Sequence, residues 1–208
     1  MYWLRLPSQA SIDKFIPKSK FFEKAVVNTK LKDEFTRNIQ RITRKYKLSD
    51  TTIGIPKTET IEEIQIFEIQ LRQKIISKNI LKLIDKAIPY PILYVLVYQD
   101  DVAYAISYQD TVARNYYISD WNQDISFDFN GINLEKVYQN TITSFITKQD
   151  ASDQDFETTV TRDAQIKSLI IEIQALQNKV KNQKQFNKKV ELNKILLHKQ
   201  QALQKLSS

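Results

Sequence analysis

Apolar and polar positions along the chain recur at more than one period, and the changes of period divide it into elements. Leu31, Phe35, Ile39, Ile42 and Tyr46 fall on one arc at about 100° per residue, while Arg37, Arg41, Arg44 and Lys45 fall on nearly the opposite arc. That spacing predicts a helix from Leu31 to Tyr46 with one buried and one cationic face. Thr51-Thr52-Ile53-Gly54-Ile55 is β-branched and stops at Pro56, which predicts a strand. Ile64, Ile66, Phe67, Ile69 and Leu71 predict a second strand with Glu68 in its middle. Residues 75–88 return to helical spacing through Ile76, Ile80, Leu83 and Ala87, and Pro89 and Pro91 end that helix. Ile92 to Tyr98 is apolar on both faces, as a central strand is. Gln99-Asp100-Asp101 turns the chain and Val102 to Tyr108 returns beside it. Asn115 to Trp121 reads as one more strand and Leu134 to Ile146 as a covering helix. Residues 1–25 read as an arm packed on the body, with one short helical turn.

Thr147 to Thr159 is polar and acidic, and the domain boundary is expected there. Beyond it Ile166, Leu169, Ile173, Leu176 and Val180 step by three and four, the spacing of a heptad seam. The seam lapses across Lys181 to Asn187, and a new stripe follows at Leu192, Ile195, Leu196, Leu203 and Leu206. Two helices folded back on each other let each stripe bury the other. The expected architecture is therefore α+β. A mixed or antiparallel sheet with covering helices occupies residues 1–147, an acidic linker 148–158, and a coiled-coil-like antiparallel hairpin 159–208.

Charge is segregated along these parts. Residues 1–50 carry 12 Lys and Arg against 5 Asp and Glu, residues 51–163 carry 10 against 17, and residues 164–208 carry 9 against 2. The balances are +7, −7 and +7, a layout that points to an electrostatic partner such as nucleic acid or an acidic protein surface. With no cysteine, thiolate chemistry and cysteine-ligated metal sites are excluded. With only Gly54 and Gly131, neither a Walker loop nor a G-x-G-x-x-G turn can be built. The opening residues Met1-Tyr-Trp-Leu-Arg-Leu-Pro lack a basic run followed by a long apolar one, so no secretory signal is expected. No apolar run approaches the ~20 residues of a membrane span. A cytoplasmic protein without membrane contact is expected.

Few residues offer catalytic chemistry. The single histidine, His198, stands among Lys and Gln with no carboxylate within a turn, and reads as a surface side chain. Asp120, Asp124 and Asp128, with Asp110 nearby, recur without calcium-loop spacing and read as a solvated acidic loop. Glu68 raises the two-carboxylate nuclease core, which wants an Asp on one strand and Glu-x-Lys on the next. Here Gln70 stands where that lysine belongs, and Glu59, Glu62 and Glu63 are the only nearby acids to replace the Asp. A strand carboxylate paired with Arg72 or a lysine fits better. No catalytic residue, metal ligand or cofactor is expected. The arginines are the stronger signal, because guanidinium groups on one face grip phosphates bidentately. Arg37, Arg41, Arg44, Lys45, Lys18 and Lys20 are the candidate nucleic-acid contacts. Lys179, Lys184, Phe186, Lys188 and Lys189, around the hairpin tip, are the candidate partner contacts.

Four stretches carry a family resemblance: Ile16-Pro-Lys-Ser-Lys-Phe-Phe-Glu-Lys-Ala25, Ile64-Gln-Ile-Phe-Glu-Ile-Gln-Leu71, Ile84-Asp-Lys-Ala-Ile-Pro-Tyr-Pro-Ile-Leu93 and Gln185-Phe-Asn-Lys-Lys-Val-Glu-Leu-Asn193. Together they resemble the bacterial domain-of-unknown-function family numbered 4391. The resemblance implies no reaction. It implies a context, that of companions to helicases and DNA methyltransferases in restriction-like, anti-phage gene clusters. The leading expectation is a non-catalytic accessory subunit that docks a helicase or methyltransferase, with DNA phosphates as a further contact. The alternatives are a divergent metal-dependent nuclease using Glu68 with Glu62 or Glu63, and a scaffold that self-associates through its C-terminal helices.

Overall fold

The structure, a computed structural model, describes residues 4–23, 27–109, 114–146 and 155–207, and gives two compact units, Met1–Phe145 and Ile146–Ser208. The first unit opens with a 3-10 turn at Ser8–Ala10, β1 (Ser11–Phe15), α1 (Ser19–Glu23), α2 (Thr29–Asn38), β2 (Ile39–Leu48) and α3 (Asp50–Ile53). It continues with β3 (Ile64–Leu71), α4 (Lys78–Ala87), β4 (Ile92–Tyr98), β5 (Asp101–Gln109), β6 (Arg114–Ile118) and α5 (Leu134–Ile146), whose last residue belongs to the second unit. The second unit holds α6 (Phe156–Asn182) and α7 (Phe186–Ser207).

The six strands lie in sequence order in one sheet. Every neighbouring pair is antiparallel except β3 and β4, which run parallel because α4 carries the chain back between them. The mixed sheet with covering helices is as the sequence implies. Side chains from one face, Phe67 and Ile69 of β3 and Ile92, Tyr94 and Leu96 of β4, form the main core with Phe21 of α1, Phe35 of α2 and Ile80 and Ile84 of α4. On the other face the Phe127 ring meets Tyr104 of β5 at 4.9 Å and Phe145 of α5 at 5.6 Å.

Three local expectations are corrected. The helix predicted from Leu31 to Tyr46 ends at Asn38, and Arg41, Arg44 and Lys45 stand on β2. Pairing of β2 with β3 slips between Ile39 and Arg41 and again between Arg44 and Tyr46. A bulge inserts one extra residue, so the buried Ile39 and Ile42 come three apart instead of two. The strand therefore imitates helical spacing. The strand predicted at Thr51–Ile55 is instead the short α3. Ser49 N–H donates to Thr52 Oγ1 at 2.8 Å across its first turn, and Gly54, at φ +71°, closes its end in the left-handed region. Finally, the N-terminal arm supplies the edge strand β1, paired with β2 through Lys14 opposite Arg44 and Phe15 opposite Thr43.

In the second unit α6 and α7 pack against each other as a hairpin. Ile166, Leu169, Ile173, Leu176 and Val180 are buried or half-buried on α6, as are Leu192, Leu196, Leu203 and Leu206 on α7. Arg162 Nε donates to Leu206 O at 2.7 Å, and Lys199 pairs with Glu172, tying the helices at two levels. Ile195 of the predicted stripe is exposed. Of the expected acidic linker, residues 148–154 lie outside the described residues, as does Asp110, and α6 already begins at Phe156.

Candidate nucleic-acid interface

Strand geometry separates the arginines that one helix would have aligned. Arg44 is opposite Phe67, on the face covered by the helices. Arg41 is opposite Gln70 and belongs to the other face, where it stacks on Phe15 at 5.3 Å from the ring centroid and its Nε donates to Thr43 Oγ1 at 3.3 Å. Arg37 is exposed in the last turn of α2.

Two of the candidate lysines are taken up by the fold. Lys18 Nζ donates to Thr36 O at 3.3 Å and to Ile39 O, so it serves carbonyls at the end of α2. Burial pushes its ammonium below the ordinary lysine range, and the Arg72 charge adds to this. Lys45 Nζ pairs with Asp13 at 2.8 Å and ties β1 to β2. That hydrogen bond holds Asp13 below the usual carboxylate range and Lys45 above the usual ammonium range. A depressed aspartate contributes stability above its unfolded pKa and loses it as pH falls through the folded value. A raised lysine contributes below its unfolded pKa and loses it as pH rises through the folded value. Asp13→Asn should therefore lower stability at about pH 7 by roughly 0.5 kcal/mol, the size of a surface pair, and the deficit should vanish near pH 2. Urea unfolding at both pH values measures it.

Lys20 and Arg44 remain, and the structure adds Lys14, which the sequence did not single out. All three line a groove of about 290 Å³ between β1, α1, the start of β3 and the end of α4. Among the described residues none of the three has a carboxylate partner. Tyr90 stands on the wall, the buried Phe21 and Phe67 also line it, and Phe15 borders it while its ring lies on Arg41 on the other face. Gln65, 3% exposed, lines it as well; its Nε2 donates to Glu63 Oε1, and Glu63 Oε2 is held by Lys47 at 3.1 Å.

The carboxylates do not converge. Glu63 and Glu68 are five residues apart along extended chain, roughly 16 Å, too far to ligate one cation together, and Glu62 is farther. Glu68 receives Gln70 Nε2 at 3.4 Å. Asp128 accepts from Asn130 N–H at 3.0 Å in the 120–130 loop, and no group of three His, Cys, Asp or Glu able to hold a metal ion occurs among the described residues. His198 is exposed on α7. At the hairpin tip Lys179, Lys184, Lys188 and Lys189 are exposed around Phe186, which is 78% exposed. No described helix is long and apolar enough to cross a membrane.

The chain matches the family described as domain of unknown function DUF4391 over residues 4–203. It belongs to that family. No curated protein and no solved structure matches it. In this DUF4391 chain, three of the four stretches that carried the resemblance meet at the groove. The first brings Pro17 and Lys20, the second Gln65 and Phe67, the third Ile88 and Tyr90. They are far apart in sequence and none holds a recognisable chemical motif, so only their meeting reveals the site.

Proposed function

We propose that this DUF4391 protein is a non-catalytic accessory subunit of a restriction-like, anti-phage complex, contacting nucleic-acid phosphates with its α+β unit and a protein partner with its hairpin. The observation that carries the reading is the convergence of Lys14, Lys20 and Arg44, without carboxylate partners among the described residues, around one groove. Three neighbouring cations without carboxylate partners among the described residues are suited to phosphate oxygens, and Arg44 can bind them bidentately. The hairpin tip supports the second half, since an exposed aromatic ringed by lysines suits a partner with an apolar pocket and an acidic rim. The defence setting and the helicase or methyltransferase partner rest on the family resemblance alone.

The test of the first half is a salt titration of binding to short DNA. Three phosphate contacts should give a slope of log K against log salt of about −2 to −3. The double charge reversal Lys20→Glu, Arg44→Glu should lower affinity by at least tenfold, whereas the same change at Lys57 and Lys136, exposed and remote in sequence, should have little effect. Binding that is salt-insensitive, or equally weakened by both pairs, would remove the phosphate role. For the second half, a helicase or methyltransferase purified with the tagged protein from its host should be lost on Phe186→Ala with Lys184→Glu and Lys188→Glu.

A further inference from the structure

The groove holds more than phosphate grips need. Phosphates are bound well by cations on an open surface, and an aromatic wall adds nothing to that contact. Here the cations Lys14, Lys20 and Arg44 share a groove with a ring that is not sealed in the core, the half-buried Tyr90, while the Phe15 ring lies across the sheet on Arg41. Tyr90 is held between Pro89 and Pro91, whose fixed φ angles restrict the backbone on both sides of it. The backbone that carries the ring is therefore restricted before any ligand arrives.

A polar group suited to recognition stands in the same place. Gln65 is almost wholly buried, and the Lys47–Glu63 pair fixes its amide nitrogen. Its carbonyl oxygen accepts no hydrogen bond among the described residues. A buried amide oriented by two charged neighbours, with an unused acceptor at the groove, suits an N–H donor such as a base edge.

We propose that this groove receives one nucleotide unit, with its base against Tyr90, its edge at Gln65, and its phosphate among Lys14, Lys20 and Arg44. The groove's roughly 290 Å³ is at the low end of ligand pockets, which fits one base and its phosphate and not a dinucleotide cofactor. Local charge favours the anion. The C-terminal end of α4 contributes only about half a negative charge beside three full positive ones. The larger groove between α2 and α4, about 380 Å³, has Lys30, Lys82 and Lys86 but also Glu34 and no aromatic ring, so it lacks the means to hold a base.

A duplex keeps its bases stacked inside and cannot offer a base face to Tyr90. An unpaired strand can, and so can a free nucleotide. This inference rests on the nucleic-acid reading above and sharpens it from phosphate contact to preference for an unpaired base.

The experiment compares three probes on the full chain: a fluorescent single-stranded 12-mer, the same sequence as a duplex, and a mixture of nucleoside monophosphates. The variants are Tyr90→Ala, Tyr90→Leu and Arg44→Glu. Tyr90 is half-buried, so Tyr90→Leu, which keeps an apolar side chain there, serves as the variant that removes the ring with the least disturbance of the core. Single strand should bind about tenfold tighter than duplex. Both Tyr90 variants should lower single-strand affinity about tenfold and duplex affinity less than twofold, while Arg44→Glu lowers both. Monophosphates that bind with the same sensitivity when the 12-mer does not would support the groove with a free nucleotide as its ligand. Equal binding of strand and duplex, with no effect of the Tyr90 variants, would overturn the inference and leave the phosphate contact standing. Binding of none of the three probes would overturn both.

Discussion

Asp85→Ala should destabilise the first unit by about 3–4 kcal/mol, because it leaves two tyrosine hydroxyls in the core without their acceptor. Asp85 lies on α4 at 7% exposure. Tyr94 of β4, fully buried, donates its hydroxyl to Oδ1 at 2.5 Å, and Tyr116 of β6 donates to Oδ2. The carboxyl group thus joins the crossover helix to a central strand and to the edge strand beyond β5. Each stranded hydroxyl costs about 1–3 kcal/mol, and the truncation leaves a small cavity as well. Thermal unfolding should fall by roughly 10 °C. Asp85→Asn keeps one carbonyl acceptor and should lose about half as much. Replacing all three by Asp85→Leu, Tyr94→Phe and Tyr116→Phe should recover part of the loss, since both tyrosine hydroxyls are then gone. An Asp85→Ala loss under about 1 kcal/mol would show that the hydroxyls find other acceptors.

Phe35→Ala should cost a comparable 3–5 kcal/mol, through a cavity and not through lost hydrogen bonds. The Phe35 ring is fully buried, 5.8 Å from Phe21 and 5.2 Å from Phe22, measured between centroids. α1 has only five residues and cannot be stable by its own backbone bonds; these two rings are its anchor to α2. The variant should therefore lose amide protection in α1 before it loses protection in β3 and β4, as hydrogen exchange would show. Because α1 carries Lys20 to the groove, the DNA binding proposed for that groove should weaken even at temperatures where the sheet remains folded. Phe35→Leu, which fills most of the volume, should cost about 1–1.5 kcal/mol and leave affinity close to normal.

Much of the fold could be read from the chain itself, and the reasons differ by element. The strand Ile92–Tyr98 announces itself because a strand buried on both faces must be apolar throughout. α4 is bounded by Ser77, which accepts from Ile80 N–H at 3.4 Å, and by Pro89. The hairpin follows from the lapse of the seam near Gln183–Gln185 and its resumption on α7. β2 could not be read, because two bulges replace the two-residue alternation with a spacing that imitates a helix. β1 could not be read either. An exposed edge strand of five residues has no apolar pattern to declare it, and only its partner β2 makes it a strand.

The candidate site shows the same division more sharply. Sequence alone determined the segregated charge, the absence of thiol chemistry and of a glycine-rich phosphate loop, and the helical hairpin with its lysine-ringed tip. These depend on composition or local periodicity. Only the tertiary structure decided which cations are spent inside the fold and which remain available. Lys18 goes to helix-end carbonyls and Lys45 to Asp13, while Lys14, Lys20 and Arg44 meet Tyr90 from elements up to 76 positions apart. A charge's partner is set by distance in space, and pairing of β1, β2 and β3 brings together residues whose separation along the chain carries no trace of it.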